Sequence, residues 1–260
     1  MSNRAVSEVL GFILIFALIT TTVGIVYVTG VDGLSDRRDA ERVNNAERAF
    51  DVLADNLQDL RQQGAPSRAT EIKLADARLS FGGETQMKVV VTSTTPDRVY
   101  TADIDPIVYS SNTDTEIVYE GGAVIRVDGD SAILKRKPGM VFTYDVESGR
   151  TTAIIPFVQT RAQGGRSIGG STTTLIRTRQ ADSELLTPPS SGPYSIRYTI
   201  ETTPERAEVW KGYLDGQMTE SEWNKNCELK TTDEPDDTVE CTLDVDRLYI
   251  PVTRIDVTFS

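Results

Sequence analysis

Ser167 lies in Gly165-Arg166-Ser167-Ile168-Gly169, a match to the G-x-S-x-G pattern that carries the nucleophile of many hydrolases. Such a serine needs an imidazole to take its proton, and the chain of 260 residues has no histidine. The motif also needs a helix after it, whereas residues 172–179 read as a strand. The glycines around Ser167 therefore read as a flexible loop. Lack of histidine also removes imidazole-ligated metal chemistry. Asp128-Gly129-Asp130 lacks the remaining ligands and the closing glutamate of a calcium loop, and reads as a hairpin turn. No metal-ligand spacing and no phosphate loop is present, and no pair of carboxylates stands out by spacing as an acid and base. The expectation is a protein that is not an enzyme, with no catalytic residues, no metal and no cofactor.

Two other groups could do chemistry. Cys227 and Cys241 are the only cysteines, with 13 residues between them. In an oxidising compartment they would pair, closing a loop worth about 3 kcal/mol on the chain-entropy model; two free buried thiols are the alternative. The loop encloses Asp233-Glu234-Pro235-Asp236-Asp237, and residues 215–246 hold 11 acids against 2 lysines, a local charge of -9 out of -12 for the chain. Asp233, Glu234, Asp236 and Asp237 could form a cation or partner site; the bland reading is a solvated acidic face.

The elements that position these residues begin with an apolar run. Residues 9–31 contain 23 residues without a charge, which as a helix reach about 34 Å, enough to span a bilayer core of roughly 30 Å. The run is too long for a secretory h-region of ~7–15 residues and no A-x-A site follows it, so it is expected to stay attached. Arg4 precedes it, while Asp32, Asp36, Arg37, Arg38 and Asp39 follow without net positive charge, so the amino terminus is read as cytoplasmic and the rest as outside.

Beyond the run, Val43, Ala46, Phe50, Leu53, Leu57 and Leu60 fall at alternating spacings of three and four, one stripe along a helix. Gly64-Ala65-Pro66-Ser67 supplies the stop. Span and stripe read as one helix over residues 6–63, about 87 Å long, with Gly30 and Gly33 the place for a break if one occurs; a coiled-coil stalk or a short juxtamembrane helix are the alternatives. From residue 71 the period changes to two. Candidate strands are 72–81, 87–92, 104–109, 116–127, 132–134, 141–145, 151–159, 172–179, 194–203, 240–245 and 249–258, separated by turn signals such as Gly82-Gly83, Asp128-Gly129 and Pro138-Gly139. One helix interrupts them at 204–214, where Trp210 and Tyr213 read as core.

The charge balance excludes one class of partner and suggests a setting. With 39 acidic against 27 basic residues, the chain repels nucleic acid phosphates. Arginine outnumbers lysine 20 to 7 and threonine reaches 31, a composition that suits a surface kept hydrated in concentrated salt; an ordinary acidic secreted protein is the alternative.

The first residues, Arg4-Ala5-Val6-Ser7-Glu8-Val9-Leu10-Gly11-Phe12 ahead of the apolar run, resemble the start of haloarchaeal type IV pilin-like proteins. The resemblance implies a prepilin-type peptidase that cuts after Ala5 on the cytoplasmic side, leaving Val6 as the new terminus and the apolar helix intact. It implies self-association or association with other pilin-like subunits through helix residues such as Phe12, Phe16 and Ile19, with a β-rich head facing the medium. Glu8 would pair with the freed amine of a neighbouring subunit, or sit at headgroup level.

The expected organisation is thus a leader at 1–5, a transmembrane helix at 6–33, an amphipathic extension at 34–66 and a head at 67–260. The fold class is α+β: a long amino-terminal helix followed by a mainly antiparallel, β-sandwich-like extracellular head. The expected function is a pilin-like or pseudopilin-like subunit contributing to a surface filament, adhesion or a secretion-type assembly. A monomeric, single-pass anchored receptor or solute-capturing domain is the alternative.

Overall fold

A computed structural model describes residues 3–188, 192–218, 223–231 and 236–260, with the backbone alone for 3–8 and 28–36. The chain divides into two compact units, Met1–Asn44 and Asn45–Ser260.

Helix α1 (Asn3–Gln62) passes through Gly30 and Gly33 without the break those residues would allow, and no proline interrupts it. Gly64 ends it at φ 65, the left-handed backbone that glycine adopts without a Cβ clash. The six residues of the amphipathic stripe, Val43 through Leu60, are all buried. Phe50, Leu53, Leu57 and Leu60 are wholly so, at about 1.5–3 kcal/mol each.

In chain order the strands are β1 (Ser67–Lys73), β2 (Ala77–Phe81), β3 (Thr85–Val91), β4 (Arg98–Ile104), β5 (Ile107–Ser110), β6 (Thr115–Glu120), β7 (Ala123–Asp128), β8 (Ser131–Arg136), β9 (Val141–Asp145), β10 (Arg150–Ile154), β11 (Phe157–Ala162), β12 (Ser167–Gly170), β13 (Thr173–Leu186) and β14 (Tyr194–Thr202). Helix α2 (Pro204–Gln217) follows, then β15 (Lys225–Lys230), β16 (Asp237–Val245) and β17 (Arg247–Phe259). They build three sheets. The first runs β1-β13-β17-β10-β9, with β11 also on β17; the second runs β12-β2-β5-β6-β7-β8; the third runs β15-β16-β14-β3-β4. Pairing is antiparallel except where β10 and β11 run parallel to β17, as in Ile154 opposite Tyr249 and Phe157 opposite Val252. The mainly antiparallel head expected from the sequence is therefore present.

Several expected elements divide. The single strand expected over 72–81 is β1 and β2, turned at Ala75 and Asp76, whose φ values of 51 and 71 put two non-glycine residues in left-handed backbone. The strand expected over 116–127 is the hairpin β6–β7, turned at Gly121 and Gly122 with φ 57 and 97. The expected loop around Ser167 is a strand, β12, paired with β2. An edge position explains this, since a glycine-rich segment needs only one partner there. The expected turn at Asp128-Gly129-Asp130 joins β7 to β8, with Gly129 at φ 56.

Packing follows from strand alternation. In the second sheet Leu79, Tyr109, Ile117 and Arg126 stand opposite one another on one face. Ion pairs place that face against the second half of α1: Glu47 meets Arg126 at 2.9 Å and Lys135 at 3.0 Å, and Arg136 meets Asp55 at 2.5 Å. The opposite face carries Ile125 into the main core, which it shares with Met87, Val89, Ile200 and Trp210. With both faces covered, β6 is buried nearly throughout. The third sheet is covered on one face only, so β14 and β16 alternate strictly between buried and more exposed positions.

Candidate functional site

The most apolar feature of the first unit is the stretch Val9–Tyr27. Its 19 residues have a mean hydropathy of 2.6 and none is buried, so it is long and apolar enough to cross a membrane. Thirteen large apolar side chains lie exposed on it, among them Phe12 at 70%, Phe16 at 61% and Ile19 at 56%. At about 1.5–3 kcal/mol for each such side chain, removing all of them from water would be worth upward of ~20 kcal/mol. Burial of this stretch against lipid or other apolar helices would therefore be strongly favoured.

Local chemistry suits that environment. A helix satisfies its own backbone groups. The hydroxyls of Thr20 and Thr22 donate to the carbonyls of Phe16 and Leu18 at 2.8 and 2.7 Å, so neither is left unpaired on the apolar stretch. Phe12 and Phe16 stack one turn apart with ring centroids 6.1 Å apart. For Arg4, Ala5, Val6 and Glu8 the helical backbone is described and the side chains are not.

The cysteines do pair. Cys227 on β15 lies directly opposite Cys241 on β16, with Cα atoms 4.1 Å apart and a sulfur–sulfur bond of 2.02 Å. The bridge therefore ties an edge strand to its neighbour within a hairpin. Of the four acids expected to form a cation or partner site, Asp233 and Glu234 lie outside the described residues. Asp237 opens β16 and is only 5% exposed, opposite Thr202, while Asp236 precedes it. Among the described residues no group of three or more His, Cys, Asp or Glu is placed to hold a metal ion.

One cluster of polar chemistry gave no sequence signal. Glu120, at the end of β6, is fully buried and pairs with Arg206 of α2. Its carboxylate also accepts from Trp210 Nε1 at 2.6 Å and from the hydroxyls of Thr85 and Thr202, each at 3.0 Å. Four donors occupy the roughly four lone-pair sites of a carboxylate, so nothing is left for a ligand. The cluster joins β3, β6, β14 and α2 and acts as an internal tie. Trp210 and Tyr213 are core residues, as expected, with rings 6.2 Å apart edge to face.

Electrostatics are best defined where α1 meets the second sheet. Burial by itself raises the Glu47 carboxyl, but hydrogen bonds from Lys135 and Arg126 outweigh it and hold the group below the usual glutamate range. The hydrogen bond from Arg126 likewise lowers Asp128, and Asp128 and Glu47 together raise Arg126. These ion pairs fasten the helix to the second sheet.

No curated protein and no solved structure matches the chain. A family model matches residues 4–258, from just before the apolar stretch to the end of the last strand, and the chain thereby belongs to the family of unknown function DUF7289.

Proposed function

We propose that the protein is a pilin-like or pseudopilin-like subunit of an archaeal cell membrane, working by assembly or adhesion and not by catalysis. The observation that carries this reading is the exposed apolar helix Val9–Tyr27 directly behind Arg4-Ala5-Val6. A prepilin-type peptidase acting on the cytoplasmic side would remove Met1 through Ala5 and leave that helix on the mature chain. The helix would pack with those of other subunits in lipid or in a filament core, through residues such as Phe12, Phe16 and Ile19. Glu8 would be neutralised there by the amine of a neighbouring Val6. The acidic head, with its disulfide, would face a salty medium, where carboxylates keep a screened surface hydrated.

Substituting Phe16→Asp or Ile19→Asp tests helix packing. Each puts a charge into the apolar phase at about 2.5–3.5 kcal/mol or more. Cells carrying either variant are expected to lose the protein from sheared filaments and from crosslinked high-mass complexes, while the head remains disulfide-bonded. Incorporation at the normal level would sink the packing claim. A wild-type chain that crosslinks only as a monomer would favour a single-pass anchored binding module.

A further inference from the structure

We propose that the outer face of the first sheet is a binding site for an acidic saccharide, a sugar chain bearing carboxylates, with Arg177 and Arg179 as the groups that hold its anionic positions. The observation is a cavity of about 670 Å³ lined by Ser67, Ala69, Gln163, Arg177, Arg179 and Asp256, within the usual size of ~300–1,000 Å³ for small-ligand sites.

Register explains how these side chains converge. Ser67, Arg179, Asp256 and Arg161 lie abreast across β1, β13, β17 and β11, and Ala69, Arg177 and Thr258 lie abreast two residues along. Residues two apart on a strand point to the same face, so both rows project outward together. Asp256, its side chain only 11% exposed, anchors the group. It accepts from Arg161 at 2.9 Å, from Arg179 at 2.6 Å and from Gln163 at 3.2 Å. This fixes two guanidiniums side by side while the Arg179 side chain stays 67% exposed, with its remaining donors free to turn to solvent.

Arg177 is held differently. Its Nε donates to the Ser260 hydroxyl at 3.0 Å, and among the described residues it makes no ion pair. Arg254, on the same strand as Asp256, is taken up by two acids, Asp182 and Glu184 at 2.6 and 2.7 Å, a cluster of net charge -1. Arg161, Arg177 and Arg179 against Asp256 leave +2 at the cavity, and +1 once Arg254 with Asp182 and Glu184 is included, in a chain whose total is -12.

The chemistry of the lining selects the ligand class. Planar guanidinium forks match carboxylate oxygens in pairs, while Ser67, Thr258 and Gln163 offer donors and acceptors suited to sugar hydroxyls. No aromatic ring lines the cavity for a base to stack on, and the charge of the whole chain repels a dense polyanion. A sugar chain with about one charge per residue meets two outward arginines without that penalty. The site stands whether or not copies of the protein assemble through their helices.

Full-length protein in detergent micelles, titrated calorimetrically with trigalacturonate at low and high salt, tests the assignment. Saturable one-to-one binding is expected at both salt levels, weaker at the higher, with no binding of neutral cellotriose. Arg177→Gln and Arg179→Gln are each expected to weaken it about tenfold, as loss of a charged hydrogen bond does. Arg98→Gln, on an exposed strand of the third sheet, should leave it unchanged, and unchanged circular dichroism and melting show that the variants fold. Absence of trigalacturonate binding, or equal binding by the variants, overturns the proposal. Equal or tighter binding of triglutamate, or competition by sodium sulfate at equal concentration, would make the site one for acidic peptides or free anions and overturns the saccharide assignment.

Discussion

Glu120 and Arg206 form an ion pair in which the two side chains are 0% and 6% exposed, one at the end of a strand in the second sheet and the other in the first turn of α2. Breaking such a pair from one side leaves an uncompensated charge in the core. Arg206→Met is therefore expected to cost about 3–5 kcal/mol in denaturant unfolding. Glu120→Gln combined with Arg206→Met should recover part of that loss, because the buried charge is gone. Single variants within 1 kcal/mol of the wild type would contradict the role of the pair as a tie between the sheets and α2.

The Cys227–Cys241 bridge closes a loop with a sequence separation of 14. Replacing both cysteines by serine is expected to lower head stability by about 2–3 kcal/mol and the melting temperature by about 5–10 °C. Reducing agent should lower the melting point of the wild type by a similar amount and leave that of the double variant unchanged. Equal melting of the oxidised wild type and the variant would mean that the bridge is energetically idle.

Glu47 gives a pH dependence with a defined sign. Its carboxyl is held below the usual value of 4.5, despite burial that raises it, by Lys135 and Arg126. A carboxylate lowered in the folded state adds stability above its unfolded value and loses it as pH falls through the folded value. Glu47→Gln is expected to cost about 1 kcal/mol at pH 7. The difference from wild type should shrink as pH falls below 4.5 and vanish in stronger acid, as read from urea midpoints. A pH-independent difference would show that packing, not charge, accounts for the effect.

The alkaline limb has the opposite cause. Burial pushes the Tyr119 hydroxyl up to about 12 from its ordinary 10. The folded state then keeps a proton that the unfolded chain gives up, so stability present below pH 10 is lost as pH rises toward 12. Tyr119→Phe should flatten that loss by up to about 3 kcal/mol. An unchanged alkaline slope in the variant would contradict the burial argument.

What the sequence made legible, and what it hid, has a physical pattern. The stripe from Val43 to Leu60 and the alternation in β14 and β16 were readable because one face of each element is buried and the period survives in the residue order. The turn at Ala75-Asp76 was hidden because neither residue is the glycine that left-handed backbone usually calls for. The turn at Gly121-Gly122 is masked because β6 and β7 are apolar on both faces and merge into one run. Glu120 carries no signal in the residue order since its partners Thr85, Thr202, Arg206 and Trp210 are distant in the chain. The arginine face was missed for the same reason, although Arg177 and Arg179 at a spacing of two within a strand are a signal that could have found half of it. The apolar stretch, by contrast, is legible as such, because its hydropathy depends on composition and not on partners.

That helix and the residues ahead of it carry the functional reading, and one measurement reaches it most directly. Intact mass spectrometry of the protein extracted from its native membrane is predicted to give the mass of residues 6–260, with Val6 as the first residue and the Cys227–Cys241 bridge in place. A mass that retains Met1 through Ala5, or one that lacks the stretch Val9–Tyr27, would contradict the pilin-like account.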